Sequence, residues 1–206
     1  MKLIAITSKN NHDREIQYIP LLFKAGLNIL HVRKPEFNKN QLSSFISLIP
    51  AEYHDRLVIH SHFELHTEIK IKGIHLPEKI RKENYLAISK IVPNKKMISS
   101  SFHHTDDLIN NEIPFEYVFI SPVFDSISKV GYKSNFDFKK LNNTVVEYKK
   151  NQKIVKKAGV IALGGINDLT INKILDSSFD GAAVSGYLWE GDNPLERYEK
   201  LISKIK

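Results

Sequence analysis

Residues 3–10 read LIAITSKN, and the exit from this apolar run decides between two folds. Leu3-Ile4-Ala5-Ile6 is a short run of the kind that forms a buried strand. An open, doubly wound sheet would usually leave such a first strand through a glycine-rich loop. Here the exit is Thr7-Ser8-Lys9-Asn10, with no glycine. Further runs of the same character lie at 28–33 (NILHVR), 57–61 (LVIHS), 73–76 (GIHL), 97–101 (MISSS), 117–121 (YVFIS), 159–164 (GVIALG) and 181–186 (GAAVSG). Between them the apolar residues recur at helical spacing: Ile16, Leu21, Leu22 and Phe23 after the first strand, Leu42, Phe45, Ile46 and Leu48 after the second, Ile171, Ile174 and Leu175 after the seventh. A helix is also predicted around Phe138–Tyr148. Strands alternating with helices imply parallel pairing through right-handed crossovers. Eight such units in 206 residues predict a single (β/α)8 TIM barrel, residues 1–206, with no linker or second domain.

Composition narrows the function classes. No apolar run approaches the roughly 20 residues that span a bilayer, and the polar end of MKLIAITSKNN is unlike a signal peptide. Cysteine is absent, which excludes disulfides, thiolate metal sites and cysteine nucleophiles and fits a cytoplasmic protein. The net charge is +7 and the pI about 9.3. The lysines are nonetheless scattered beside acidic residues, and no nucleic-acid-reading motif is present. A basic barrel mouth for anionic small molecules accounts for the charge without nucleic acid.

In a barrel of this kind the chemistry sits on the rim formed by the C-terminal strand ends. Six of the nine histidines fall in these segments: His31, His60, His62, His75, His103 and His104. Strand seven runs into Gly164-Gly165, with Asn167-Asp168 placed to cap the next helix, and strand eight into Val184-Ser185-Gly186. Backbone N–H groups at these two turns suit a phosphate. Ser126, Ser128 and Lys129 form a hydroxyl-rich loop after strand six that suits a second anion. Arg33 can clamp an anion with its planar fork or form an ion pair in the barrel mouth. His60-x-His62, if extended, places two imidazoles on one side, a pattern also used for metals. In SSSFHHTDD (99–107), strand alternation aims Ser101 and His103 at the barrel mouth and His104 away, while Thr105 and Asp106 are placed to cap and charge the following helix.

The strings ILHVRKP (29–35), GIHLPE (73–78), SSSFHH (99–104), EYVFISPVFDSISK (116–129), VIALGGIN (160–167) and GAAVSGYL (181–188) together resemble, in order and over nearly the whole chain, the motifs of the thiamine phosphate synthase/TenI family. That resemblance implies a thiamine-biosynthesis barrel binding a phosphorylated thiazole. In synthases the thiazole phosphate is joined to an aminopyrimidine methyl pyrophosphate with Mg²⁺; TenI-like members are similar to a tautomerase that aromatises a thiazole carboxylate phosphate and uses no cofactor. Ser101 and Lys129 match the pyrophosphate-side pair, Ser126 and Ser128 the two threonines near the thiazole phosphate, and Gly164, Gly165, Val184 and Ser185 the thiazole-phosphate loops. The two magnesium aspartates have no match: the first motif reads His60-Ser61-His62, and Ile80 stands at the second position. Pro35 replaces the strand-two lysine, with Lys34 one residue early. His31, Leu76-Pro77 and His103 match the TenI-like branch, His103 as its catalytic histidine. The expectation is a TenI-like tautomerase with His103 as acid/base, Arg33 and Lys129 at the carboxylate, and no metal. The alternatives are a synthase with His60, His62 or Glu78 in place of the magnesium ligands, or a non-catalytic phosphate-binding barrel. A homo-oligomer is compatible with the sequence.

Overall fold

The computed structural model describes residues 1–9, 14–91, 96–125, 134, 136–151 and 157–205. Eight parallel strands close into a barrel in sequence order: β1 Lys2–Ile6, β2 Leu30–Val32, β3 Leu57–Ile59, β4 Gly73–Leu76, β5 Met97–Phe102, β6 Tyr117–Ile120, β7 Gly159–Leu163 and β8 Gly181–Val184. Closure is made by β8 on β1, with Lys2 opposite Gly181 and Ala5 opposite Val184. Each strand falls on one of the eight predicted runs. Around the barrel lie α1 (Glu15–Lys24), α2 (Lys39–Ser47), α3 (Glu78–Ile91), α4 (Thr105–Ile109), α5 (Phe138–Lys150), α6 (Ile171–Leu175), α7 (Gly186–Trp189) and α8 (Pro194–Ile205). Among the described residues no helix is long and apolar enough to cross a membrane.

Period-two alternation sorts the strand side chains into two cores. Leu3, Ala5, Leu30, Val32, Leu57, Ile59, Ile74, Leu76, Val118 and Ile120 face the helix layer. Ile4, Ile6, Ile29, Val58, Tyr117, Phe119, Ile161 and Ala183 fill the barrel interior. The helices bury the stripe their spacing predicts, with two exceptions: Leu21 is 40% and Leu48 63% exposed. In α1 the buried face is Ile19, Leu22 and Phe23, and Leu48 lies past the end of α2 as its C-cap. The third crossover is a 3₁₀ helix, Phe63–Thr67, rather than an α-helix, and it buries Leu65 and His66. Gly73 permits the closest strand approach, since a Cβ there would lie 2.1 Å from the Met97 carbonyl oxygen.

Alternation also settles the fate of Lys34. Next to Arg33 but on the opposite side of the chain, it is only 2% exposed. Its ammonium pairs with the fully buried Glu15 of α1 and donates to the Ser8 carbonyl at 3.1 Å. The β1–α1 turn and the end of β2 are therefore fastened together by a buried ion pair, and Lys34 is a structural cation rather than a stand-in for a rim lysine. Removing one partner leaves the other charge without its counterion in a dry site, which costs far more than a surface pair. Lys34→Met should lower unfolding stability in urea by about 3–5 kcal/mol, and replacing Glu15 and Lys34 together by apolar residues should recover most of that loss.

Candidate active site

The strand ends enclose one cavity of about 510 Å³, whose wall includes Ser8, Lys9, Arg33, His60, His75, Ser101, His103, Ser121, Gly164, Gly165, Val184 and Ser185. Of the predicted site residues, Arg33, Ser101, His103, Gly164, Gly165, Val184 and Ser185 thus meet on one surface. Ser126, Ser128 and Lys129 lie outside the described residues. His31 is not on this wall: it is fully buried one layer below. Lys9, Tyr187 and Trp189 also line the cavity, and sequence reasoning does not single them out. For Lys9 the available signal is a lysine at the glycine-free exit of β1, a strand end of the barrel.

His103 is held in a defined state. Its Nδ1 lies 2.8 Å from the Ser121 carbonyl oxygen and 3.3 Å from the Ser121 hydroxyl. A carbonyl oxygen only accepts, so Nδ1 carries a hydrogen, and Nε2 is the ring nitrogen left to exchange a proton. His104 is exposed and off the cavity wall. It serves as N-cap of α4 without a side-chain capping bond, so the predicted capping by Thr105 does not occur; Asp106 and Asp107 occupy the first turn. The two turns predicted to hold a phosphate do face the cavity. Gly164 and Gly165 have φ of +98° and +64°, and a Cβ on Gly165 would lie 2.4 Å from the Asp125 carbonyl oxygen. Left-handed backbone in so tight a place requires glycine at both positions. Asn167 caps a turn rather than a helix, accepting from Leu169 and Thr170 N–H at 2.7 and 2.8 Å.

Below the cavity the interior is polar on one side. His31 Nδ1 lies 2.8 Å from His60 Nε2, and His31 Nε2 lies 2.5 Å from the Tyr117 hydroxyl. His75 bonds Ser99 through Nδ1 at 2.9 Å and Ser101 through Nε2 at 2.8 Å. Burial, reinforced by the neighbouring His75, holds His31 well below the usual histidine range. Burial, His75, His31 and Arg33 do the same to His60. His75 is lowered to about 3 by burial and by Arg33. All three rings are neutral at pH 7. His62 parts from His60: its backbone is left-handed at φ 51°, which breaks the alternation, and its Nε2 donates to the Phe37 carbonyl at 2.8 Å. The expectation of two convergent rings is therefore not met. His54 and His66 bond backbone carbonyls and are structural.

A magnesium ion in a site of this kind is held by one or two carboxylates together with substrate phosphate oxygens and water. The carboxylates on the cavity wall are Glu78 and Glu190. Glu78 is engaged by Lys82 at 2.9 Å and Arg81 at 3.6 Å. The one ligand cluster among the described residues is His31, His60 and His75, with ring nitrogens within 4.8 Å of one another, and imidazoles are poor partners for so hard an ion. His60 and His75 are also stacked, 4.3 Å apart and 27° from parallel, so their lone pairs run side by side rather than converge.

The neutral rings carry a pH signature. Unfolded, each titrates near 6.5; folded, each resists protonation. Below about pH 6.5 the unfolded chain binds more protons, so stability falls as pH drops toward 3, with up to about 1.4 kcal/mol per pH unit for each ring. Urea unfolding between pH 8 and 4 should show this slope, and His75→Gln should flatten it.

Comparison with known proteins agrees with this architecture. The family model described as thiamine monophosphate synthase matches residues 3–188. Two curated relatives are named thiamine-phosphate synthase. The Prochlorococcus marinus protein is 26% identical over 100% of this chain, which spans only 57% of that protein's length. The Chlamydia abortus protein is 21% identical over 94% of this chain and 89% of its own. The crystal structure of thiamine phosphate pyrophosphorylase from Bacteroides thetaiotaomicron is 33% identical, covers 98% of this chain and 96% of its own, and superposes with a TM-score of 0.75. Thiamine phosphate pyrophosphorylase from Pyrococcus furiosus covers 98% of this chain and 94% of its own with a TM-score of 0.78, and at 16% identity it speaks for the fold alone. A closed barrel, a cavity walled by the matching strand-end motifs and a family match over nearly the whole length lead to one conclusion: the chain belongs to the thiamine monophosphate synthase family.

Proposed function

We propose that the chain is a thiamine-biosynthesis enzyme that binds a phosphorylated thiazole and moves a proton on it, as a TenI-like thiazole tautomerase. The observation that carries this reading is His103: a cavity-wall imidazole whose Nδ1 is engaged by the Ser121 carbonyl, which leaves Nε2 for proton exchange. In this reading the thiazole phosphate lies against Gly164, Gly165 and Ser185, and the carboxylate is drawn toward Arg33 and, from outside the described residues, Lys129. His103 Nε2 takes a proton from the ring, and the charge that develops is met by the Arg33 guanidinium and the Ser101 hydroxyl. Imidazole suits both halves of such a transfer because its ordinary pKa lies near working pH.

A second reading has its own support. Curated relatives over nearly the whole of this chain carry the name thiamine-phosphate synthase, and that activity would join the thiazole phosphate to an aminopyrimidine pyrophosphate in this cavity.

Purified chain incubated with the non-aromatic thiazole carboxylate phosphate should aromatise it, followed by ultraviolet absorbance. His103→Ala should lower kcat by about 10²–10⁴-fold while a thiazole phosphate still binds. Mg²⁺-dependent release of pyrophosphate from the two synthase substrates, without aromatisation, would establish the second reading instead. Binding with neither reaction would leave a phosphate-binding barrel.

A further inference from the structure

Of the three interior histidines, His31 and His75 have both ring nitrogens bonded, and His60 has one to spare. His60 meets His31 through Nε2, and its Nδ1 makes no hydrogen bond among the described residues. That nitrogen is not sealed in, because the buried side-chain atoms left without a partner among the described residues are Glu78 Oε1 and Arg81 Nε. His60 is half-buried and lines the cavity, so Nδ1 faces the ligand space. Strand register sets it beside Arg33. Val32 of β2 pairs with Ile59 of β3, so the next residues, Arg33 and His60, stand side by side on the inward face, and both line the cavity.

The hydrogen on His60 is set from below. His31 Nε2 lies 2.5 Å from the Tyr117 hydroxyl. Of this pair the phenol is the stronger acid and the imidazole nitrogen the stronger base, so the hydroxyl donates and Nε2 accepts. Burial keeps His31 and His60 neutral, and each ring has a single hydrogen to place. His31 therefore carries its hydrogen on Nδ1 and donates it to His60 Nε2 at 2.8 Å. With Nε2 accepting, His60 carries its own on Nδ1, the nitrogen that faces the cavity.

We propose that His60 is a specificity-determining residue: its Nδ1–H, fixed by Tyr117 through His31, donates to one oxygen of a ligand carboxylate whose other oxygen is held by Arg33. This inference rests on the reading of the ligand as a thiazole carboxylate phosphate and names the group that selects it. A neutral donor beside one guanidinium matches the single charge of a carboxylate, and a hydrogen bond to an ionised acceptor is stronger than one between neutral groups. A ligand without the carboxylate leaves both donors without an acceptor, and a site built to hydrogen-bond a group rejects the analogue that lacks it. Tyr117 and His31 touch no ligand. They are positioning residues that hold His60 in its donor form, and no proton passes between them.

The test is calorimetric binding to the full chain of two ligands that do not react: the aromatic thiazole carboxylate phosphate, and the same thiazole phosphate without its carboxylate. The wild type should prefer the carboxylate form by about 10-fold or more. His60→Ala should weaken that form by about 10–100-fold and leave the other within about 2-fold. His60→Asn, whose amide N–H can donate from near the Nδ1 position, should recover part of the loss. Ring-nitrogen NMR of the ¹⁵N-histidine-labelled wild type should place the His60 hydrogen on Nδ1. Tyr117→Phe should give mixed tautomers at His31 and His60 and a smaller preference between the two ligands. A His60 hydrogen on Nε2, a protonated His60 at pH 7, a wild type without the preference, or equal weakening of both ligands in His60→Ala would overturn the assignment. A wild type that prefers the carboxylate yet aromatises nothing overturns the tautomerase reading and leaves the subsite standing. Aromatisation together with an unchanged preference in His60→Ala overturns the subsite alone.

Discussion

A strand in a closed parallel barrel gives each side chain two destinations, the interior or the layer beneath the helices. Neighbours in sequence are forced apart by that constraint, and the site is assembled from the residues it sends inward. On β5 it sends Ser99, Ser101 and His103 to one side and buries Phe102 on the other. At the end of β2 it turns His31 and Arg33 inward and leaves Lys34 to be neutralised by Glu15 of α1. Polar residues at alternate positions of β2 to β6 then have no choice but to meet across the interior. They are tolerated there because they bond one another.

That interior sets the charge of the cavity floor. Histidines buried against one another and close to Arg33 stay neutral, so they accept and donate hydrogen bonds without adding positive charge to the floor. Positive charge is kept to the rim, on Arg33 and Lys9, where anions arrive. Glycine backbone at the β7 turn and the serine at the β8 turn close the other side of the same cavity. The cavity thus sets a basic rim above an uncharged, hydrogen-bonded floor. Family membership fixes the scaffold and its strand-end motifs.

The barrel and most of its rim are legible in the sequence because both rest on local patterns. Short β-branched runs, the missing glycine after Ile6, and the paired glycines after Leu163 each have a single-strand cause. His103 is separable from His104 by alternation alone. The features that escape are consequences of long-range packing. Nothing near His31 in sequence shows that Tyr117 and His60 will surround it. The Lys34–Glu15 pair depends on how α1 folds back over β1 and β2. His62 breaks the expected alternation because the backbone turns left-handed there, and the third crossover shortens to a 3₁₀ turn that no periodicity rule specifies. The loop with Ser126, Ser128 and Lys129 lies outside the described residues, so its role rests on the sequence motif.

The most direct measurement is a crystal structure of the chain with the aromatic thiazole carboxylate phosphate bound. The account predicts the phosphate against the Gly164-Gly165 and Ser185 turns, with the thiazole ring within hydrogen-bonding distance of both His103 Nε2 and the Ser101 hydroxyl. A ring turned away from His103, or a phosphate seated elsewhere in the cavity, would contradict it.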